Sequence, residues 1–217
     1  MSLKLKNIFF AAFMCSVAAA SNAQPFTAPQ EIVQSGKVYK LAFKNERPNG
    51  RATYEYTTDA EPIEKWTTLV TLNYAQGMGG TLMEWAAALK KTMDAEKPVP
   101  HYSIYLKDGS GYVRIIYEPD ARNPVYESNV HKNFDIADCG GRLVYQFAVK
   151  YPSSGDQSEA GKLSTLRSIR SENQVFSEAL EKSDWLPSCK AADKNAREAH
   201  FSKQLRLKYA SALQNRS

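Results

Sequence analysis

From Arg142 to Tyr151 every second residue is large and apolar: Leu143, Tyr145, Phe147, Val149 and Tyr151. A period of two marks a strand that buries one face and leaves the other to polar groups. The rhythm recurs from Lys37 to Lys44 through Tyr39, Leu41 and Phe43, and from Ala52 to Thr57 through Tyr54 and Tyr56. Tyr102 to Leu106 and Tyr112 to Glu118 read the same way, and Val125 to Phe134 is a weaker, polar strand. Trp66 to Tyr74 is rich in β-branched residues and reads as a central strand. Arg47-Pro48-Asn49-Gly50 and Lys107-Asp108-Gly109-Ser110-Gly111 carry turn residues between such runs and predict two β-hairpins.

Helices interrupt the strands at two places. Thr81 and Glu84 form a T-x-x-E capping box ahead of Leu82, Trp85, Ala86, Leu89 and Met93, which recur at helical spacing. A second helix is expected from about Ser158 to Lys182, with Leu166, Ile169, Phe176 and Leu180 inward. A third is expected over 190–214, with Phe201, Leu205, Tyr209 and Leu213 on one stripe. The expected fold class is α+β: a mostly antiparallel sheet of six to seven strands packed with two helices, plus a C-terminal basic helix.

The N-terminus reads as a cleavable leader. Lys4 and Lys6 precede an apolar run from Ile8 to Met14, and Ser21-Asn22-Ala23 offers small residues at the cleavage positions. The apolar run is shorter than the roughly 20 residues that span a bilayer. The organisation expected is a signal peptide over 1–23, a loose Pro/Gln-rich lead-in over 24–36, an α+β domain over 37–189 and a basic helix over 190–217. The destination expected is the periplasm or the medium, and no later segment is apolar enough to cross a membrane.

Loss of the leader removes Cys15 and leaves Cys139 and Cys189. Two cysteines in an oxidising compartment most simply form one disulfide, with two free thiols as the alternative. The bridge closes a loop of about 50 residues, worth about 4 kcal/mol by the chain-entropy argument. Without Lys4 and Lys6 the net charge falls from +5 to +3. Residues 190–217 hold seven Lys or Arg against Asp193 and Glu198, so they carry +5 and the rest of the mature chain carries about −2.

The box Glu64-Lys65-Trp66-Thr67-Thr68-Leu69-Val70-Thr71 resembles a loose group of uncharacterised exported proteins of Gram-negative bacteria, in which an acidic turn leads into Trp-Thr and an apolar strand. The element order over roughly residues 37–185 also resembles PsbP-like α/β/α sandwiches. The resemblance implies a fold; it carries no functional residue onto this chain.

Specific chemical motifs are missing from the sequence. The Gly77–Gly80 loop lacks both the P-loop ending and dinucleotide spacing, and reads as a flexible turn. His101, His131 and His200 stand apart without metal-ligand spacing, and no serine-hydrolase signature occurs. Asp59, Glu61 and Glu64 could pair for acid–base work, but connector charges are usually solvated. No metal and no cofactor are expected. Trp66 is either core or a groove-lining interaction residue. Lys194, Arg197, Lys203, Arg206 and Lys208 form the polar face of the basic helix and are the other interaction candidates. The expectation is a non-enzymatic periplasmic binding protein of inhibitor or immunity type, whose partner is an envelope protein or an anionic surface and not nucleic acid. The alternative is a cell-envelope hydrolase with an unrecognised site.

Overall fold

The computed structural model describes residues 26–189, except 59, 60, 122, 154, 157, 184, 186 and 188. The leader at 1–23, the basic helix at 190–217 and His200 lie outside the described residues.

Eight antiparallel strands form one sheet, curled into a half-barrel, with two helices against it. The strands are β1 (Glu31–Gln34), β2 (Lys37–Glu46), β3 (Arg51–Thr57), β4 (Thr68–Gln76), β5 (His101–Lys107), β6 (Ser110–Tyr117), β7 (Tyr126–Ile136) and β8 (Gly141–Tyr151). Their order is β1-β2-β3-β4-β8-β7-β6-β5. The chain climbs to β4 in the middle and then crosses through α1 (Leu82–Ala95) to the far edge. From there it meanders back to place β8 beside β4. α2 (Glu159–Glu181) follows β8.

The expectation of six to seven strands is therefore wrong: the sheet has eight and dominates the fold. The added strand, β1, falls in the span read as a lead-in. Its four residues point only Ile32 and Gln34 inward, too little alternation to register as a strand. Gln34 is nevertheless buried, and its Oε1 accepts a hydrogen bond from the Tyr145 hydroxyl at 2.8 Å.

Local chemistry sets the turns and caps. Asp108 and Gly109 have φ of 49° and 70°, the positive pair that a two-residue hairpin loop with right-handed strand twist requires. The strands flanking it consequently run to Lys107 and Ser110, closer than the five-residue turn expected. Thr81 caps α1 with both arms of the capping box formed, and the Ser158 side chain caps α2.

One face of the sheet, the aromatic face, holds the main core. Tyr54, Tyr56, Val70, Leu72, Leu143, Tyr145, Phe147 and Val130 are buried there, beneath Phe26, Phe176 and Leu180. α2 packs on this face over β6 and β7. Cys139 and Cys189 are joined, with Cα atoms 5.3 Å apart, and both belong to this core. The expected pairing is thus present, and it ties the chain beyond α2 to the turn between β7 and β8. The opposite face carries α1 only over β5 and β6, where Leu89 and Met93 meet Val113 and Ile115. No described helix is long and apolar enough to cross a membrane.

Candidate functional site

The face opposite the main core is the chemically unusual part of the molecule. Strand pairing aligns Glu55, Thr71, Gln146 and His131 in one row across β3, β4, β8 and β7. The next row on that face is Thr53, Asn73, Val144 and Asn133. Alternation along a strand points these side chains away from Tyr54, Tyr145 and Phe147. A sheet face of this composition normally lies in water. Here Glu55, Thr71, His131 and Asn133 are all buried.

Some of the hydrogen-bonding capacity of this strip is used internally. Thr53 donates to Asn73 Oδ1 at 2.8 Å, and Gln146 Nε2 donates to Asn129 Oδ1 at 2.6 Å. Asn133 differs. It is 0% exposed, and neither its Nδ2 nor its Oδ1 has a hydrogen-bond partner. Buried carboxamides are nearly always bonded, since an unsatisfied polar group costs about 1–3 kcal/mol.

Both ends of the strip are closed. At one end Trp66 packs with Leu69 and Ala148, and the Lys150 ammonium lies 3.7 Å from the Trp66 ring centroid. Burial lowers the Lys150 pKa, against the pull of Glu127 and Glu61. At the other end Arg142, also buried, binds Asp135 through Nε at 2.7 Å and donates to the Gly80 carbonyl at 3.0 Å. On the side toward α1 the Trp85 ring lies over Gly111, the residue paired with Asn133, where any Cβ would collide with it.

The titratable groups of the strip do not form an acid–base pair. Burial pushes the Glu55 carboxyl up and the His131 imidazole down to about 4, so His131 is neutral at pH 7. Three strand spacings separate them, about 14 Å, whereas proton relay needs about 3 Å. What the strip can offer is uncharged hydrogen bonding from Asn133, Gln146, Asn73 and Thr71.

The other residues named from the sequence have separate placements. Trp66 is 4% exposed and its ring face is occupied by Lys150. Lys194, Arg197, Lys203, Arg206 and Lys208 lie outside the described residues. Glu61 organises the Trp-Thr box. Burial works against its charge, but hydrogen bonds from Thr67 and Thr68 prevail and hold its carboxyl below the ordinary range. His101 pairs with Glu118 at 2.9 Å on the outer edge, away from the strip. The Gly77–Gly80 loop closes a small hollow with Asp135 and Arg142. Among the described residues no group of three or more His, Cys, Asp or Glu is arranged to hold a metal ion.

A protein-family model matches residues 26–185, which takes in the whole sheet and both helices. The chain belongs to this family, an uncharacterised bacterial one. The matched span includes every residue of the polar strip and stops before Cys189 and the basic segment. No curated protein and no solved structure matches the chain. Membership of the family thus brings no activity with it, and chemistry alone must argue for one.

Sequence reading missed the strip for a definable reason. Polar residues alternating with apolar ones are read as solvent-facing, and nothing local to β7 marks Asn133 as buried. The only available hint was the unusually polar run from Val125 to Phe134.

Proposed function

We propose that this is an exported, non-enzymatic binding protein of inhibitor or immunity type, which engages another protein of the cell envelope through the polar strip. The leader-like residues 1–23 and the single disulfide support an extracytoplasmic location, either periplasmic or in the medium. The observation that carries the binding reading is the Asn133 carboxamide: fully buried and unbonded at both ends, with Gly111 and Val144 beside it in the row and Gln146 diagonal to it on β8. Hydrogen-bonding capacity that the fold leaves unsatisfied is recovered when a partner supplies the missing donor and acceptor. Neutral groups of this kind discriminate by geometry, because a mismatched partner leaves them unbonded. The PsbP-like layout suggested by the element order agrees with a sheet carrying helices on both faces, a scaffold that holds such groups rigidly.

Photo-crosslinking tests this reading. A photo-reactive residue in place of Gln146 is activated in intact producing cells, and adducts are identified by mass spectrometry. A discrete adduct with one envelope protein, weakened by Asn133→Leu, is the expected result. An adduct pattern indistinguishable from that of a photo-reactive residue at exposed Lys91, on the outer side of α1, refutes it.

A further inference from the structure

β5 ends the sheet on the side where α1 packs, and among the described residues no strand pairs with its outer side. Free edges are usually blunted by proline, bulges, charged residues or shortness. β1, at the other edge, is short: four residues that run straight into the tight turn at Ser35 and Gly36. Over 102–106, β5 has none of these devices. It runs seven residues in continuous register with β6, from His101 opposite Ile116 to Lys107 opposite Ser110. The two-residue loop at Asp108 and Gly109 makes Lys107 and Ser110 a hydrogen-bonded pair, so alternation turns the N–H and C=O groups of Tyr102, Ile104 and Leu106 outward. The side chains of the same three residues share the α1 face. Tyr102 and Ile104 are half-buried against Leu89, Met93, Val113 and Ile115, and Leu106 is 39% exposed. The hydrophobic cluster under α1 therefore ends unfinished at a regular strand edge.

We infer that two copies of this chain dimerise by antiparallel pairing of β5 with β5 about a two-fold axis at Ile104, joining their sheets into one. Ile104 is the central residue of the strand, so this register pairs all seven residues. Ile104 meets Ile104 and Tyr102 meets Leu106, and each of these pairs exchanges both hydrogen bonds of an antiparallel ladder. Their apolar side chains meet across the junction on the α1 face and complete the cluster. Charge agrees at the two ends: Lys107 of one copy stands opposite His101 of the other, in reach of the Glu118 carboxylate that His101 already pairs with at 2.9 Å. The helices fit as well. α1 lies over β5 and β6, which puts it about 10 Å from its counterpart once the two edge strands stand about 4.8 Å apart, a normal separation for packed helices. Tyr102 donates to Asp94, so the flank of α1 that bears Met83, Ala87, Lys90 and Asp94 faces the edge. Met83 is 67% exposed on that flank, and Ala87 permits close approach. α2 stands further in, over β6 and β7 on the other face, clear of its counterpart. The polar strip, from β7 to β3, stays open to a different partner, so this inference does not rest on the reading above.

Sedimentation and cysteine crosslinking of the purified mature protein decide the matter. Over a range of concentrations the protein should show a monomer–dimer equilibrium. Leu106→Lys, a change at an exposed position, should move its midpoint to about tenfold higher concentration or more. Crosslinking reads the register. Ile104→Cys sets two thiols on facing residues whose Cα atoms are about 5.5 Å apart, within disulfide range, and mild oxidation should join the copies. Leu106→Cys is the control. Its thiol is more exposed, but its own counterpart lies about 14 Å away along the strand and should not join to it. Mixed with Tyr102→Cys, it should form the heterologous bridge, and that mixture reads the same register if Ile104→Cys unfolds. A monomer at every concentration overturns the inference, as does a dimer that Leu106→Cys joins to itself as readily as Ile104→Cys does.

Discussion

Replacing Asn133 by leucine should make the protein more stable. Leucine has the same number of side-chain heavy atoms and the same branch point, so it fits the space with little rearrangement. It removes a carboxamide whose two polar ends are buried without partners. One such group costs about 1–3 kcal/mol, and the apolar replacement also gains from burial at a fully enclosed position. A net gain of about 2 kcal/mol is expected, which raises Tm by about 4–8 °C in a domain of this size. Asn173 is the internal control. It is equally buried at 2% exposure, but its Nδ2 donates to Ser128 Oγ at 2.8 Å and to the Asn129 carbonyl at 3.1 Å. Asn173→Leu should therefore lose about 1–3 kcal/mol. Urea and thermal unfolding followed by circular dichroism give both values. If the two substitutions destabilise alike, the Asn133 carboxamide is bonded in solution and the reasoning from it fails.

Three further outcomes follow from other parts of the structure. Replacing Cys139 and Cys189 together by serine should lower stability by about 4 kcal/mol, read as the shift in urea midpoint at constant slope. The His131 imidazole is pushed down to about 4 in the folded state, from 6.5 when unfolded. The folded state therefore binds fewer protons. Stability is full above about pH 6.5 and falls by up to about 3 kcal/mol as pH drops toward 4, a loss that His131→Gln should flatten in a pH series of unfolding curves. Gly111→Ala should drive the Trp85 ring off β6 and lower Tm, with about 1–3 kcal/mol lost and the tryptophan fluorescence shifted to the red.

The aromatic face was legible because its residues obey strict alternation. Tyr54, Tyr56, Leu143, Tyr145 and Phe147 announce both their strands and the side they bury. The capping box at Thr81 marked the first helix for an equally local reason, and the spacing of Leu166, Ile169, Phe176 and Leu180 marked the second. β1 was not legible, because Ile32 is its only apolar inward residue and Gln34 becomes an inward residue only through Tyr145, 111 positions away. The polar strip was hidden for the same kind of reason. Glu55, Thr71, Gln146 and His131 come together through the register of four strands, and three of them, Glu55, Thr71 and His131, are buried although they stand in polar alternation. Neither can be read from periodicity. Composition predicted the disulfide because only Cys139 and Cys189 remain once residues 1–23 are read as a cleaved leader.

Affinity for the captured envelope partner tests the central claim most directly. Titration calorimetry should compare the mature protein with Asn133→Leu against the partner identified by crosslinking. Loss of one or two hydrogen bonds predicts a Kd weakened by about 5- to 150-fold in the variant, even though that variant melts at a higher temperature. Unchanged affinity, with the variant still more stable, would show that the buried carboxamide is only a packing defect and that the strip is not the binding surface.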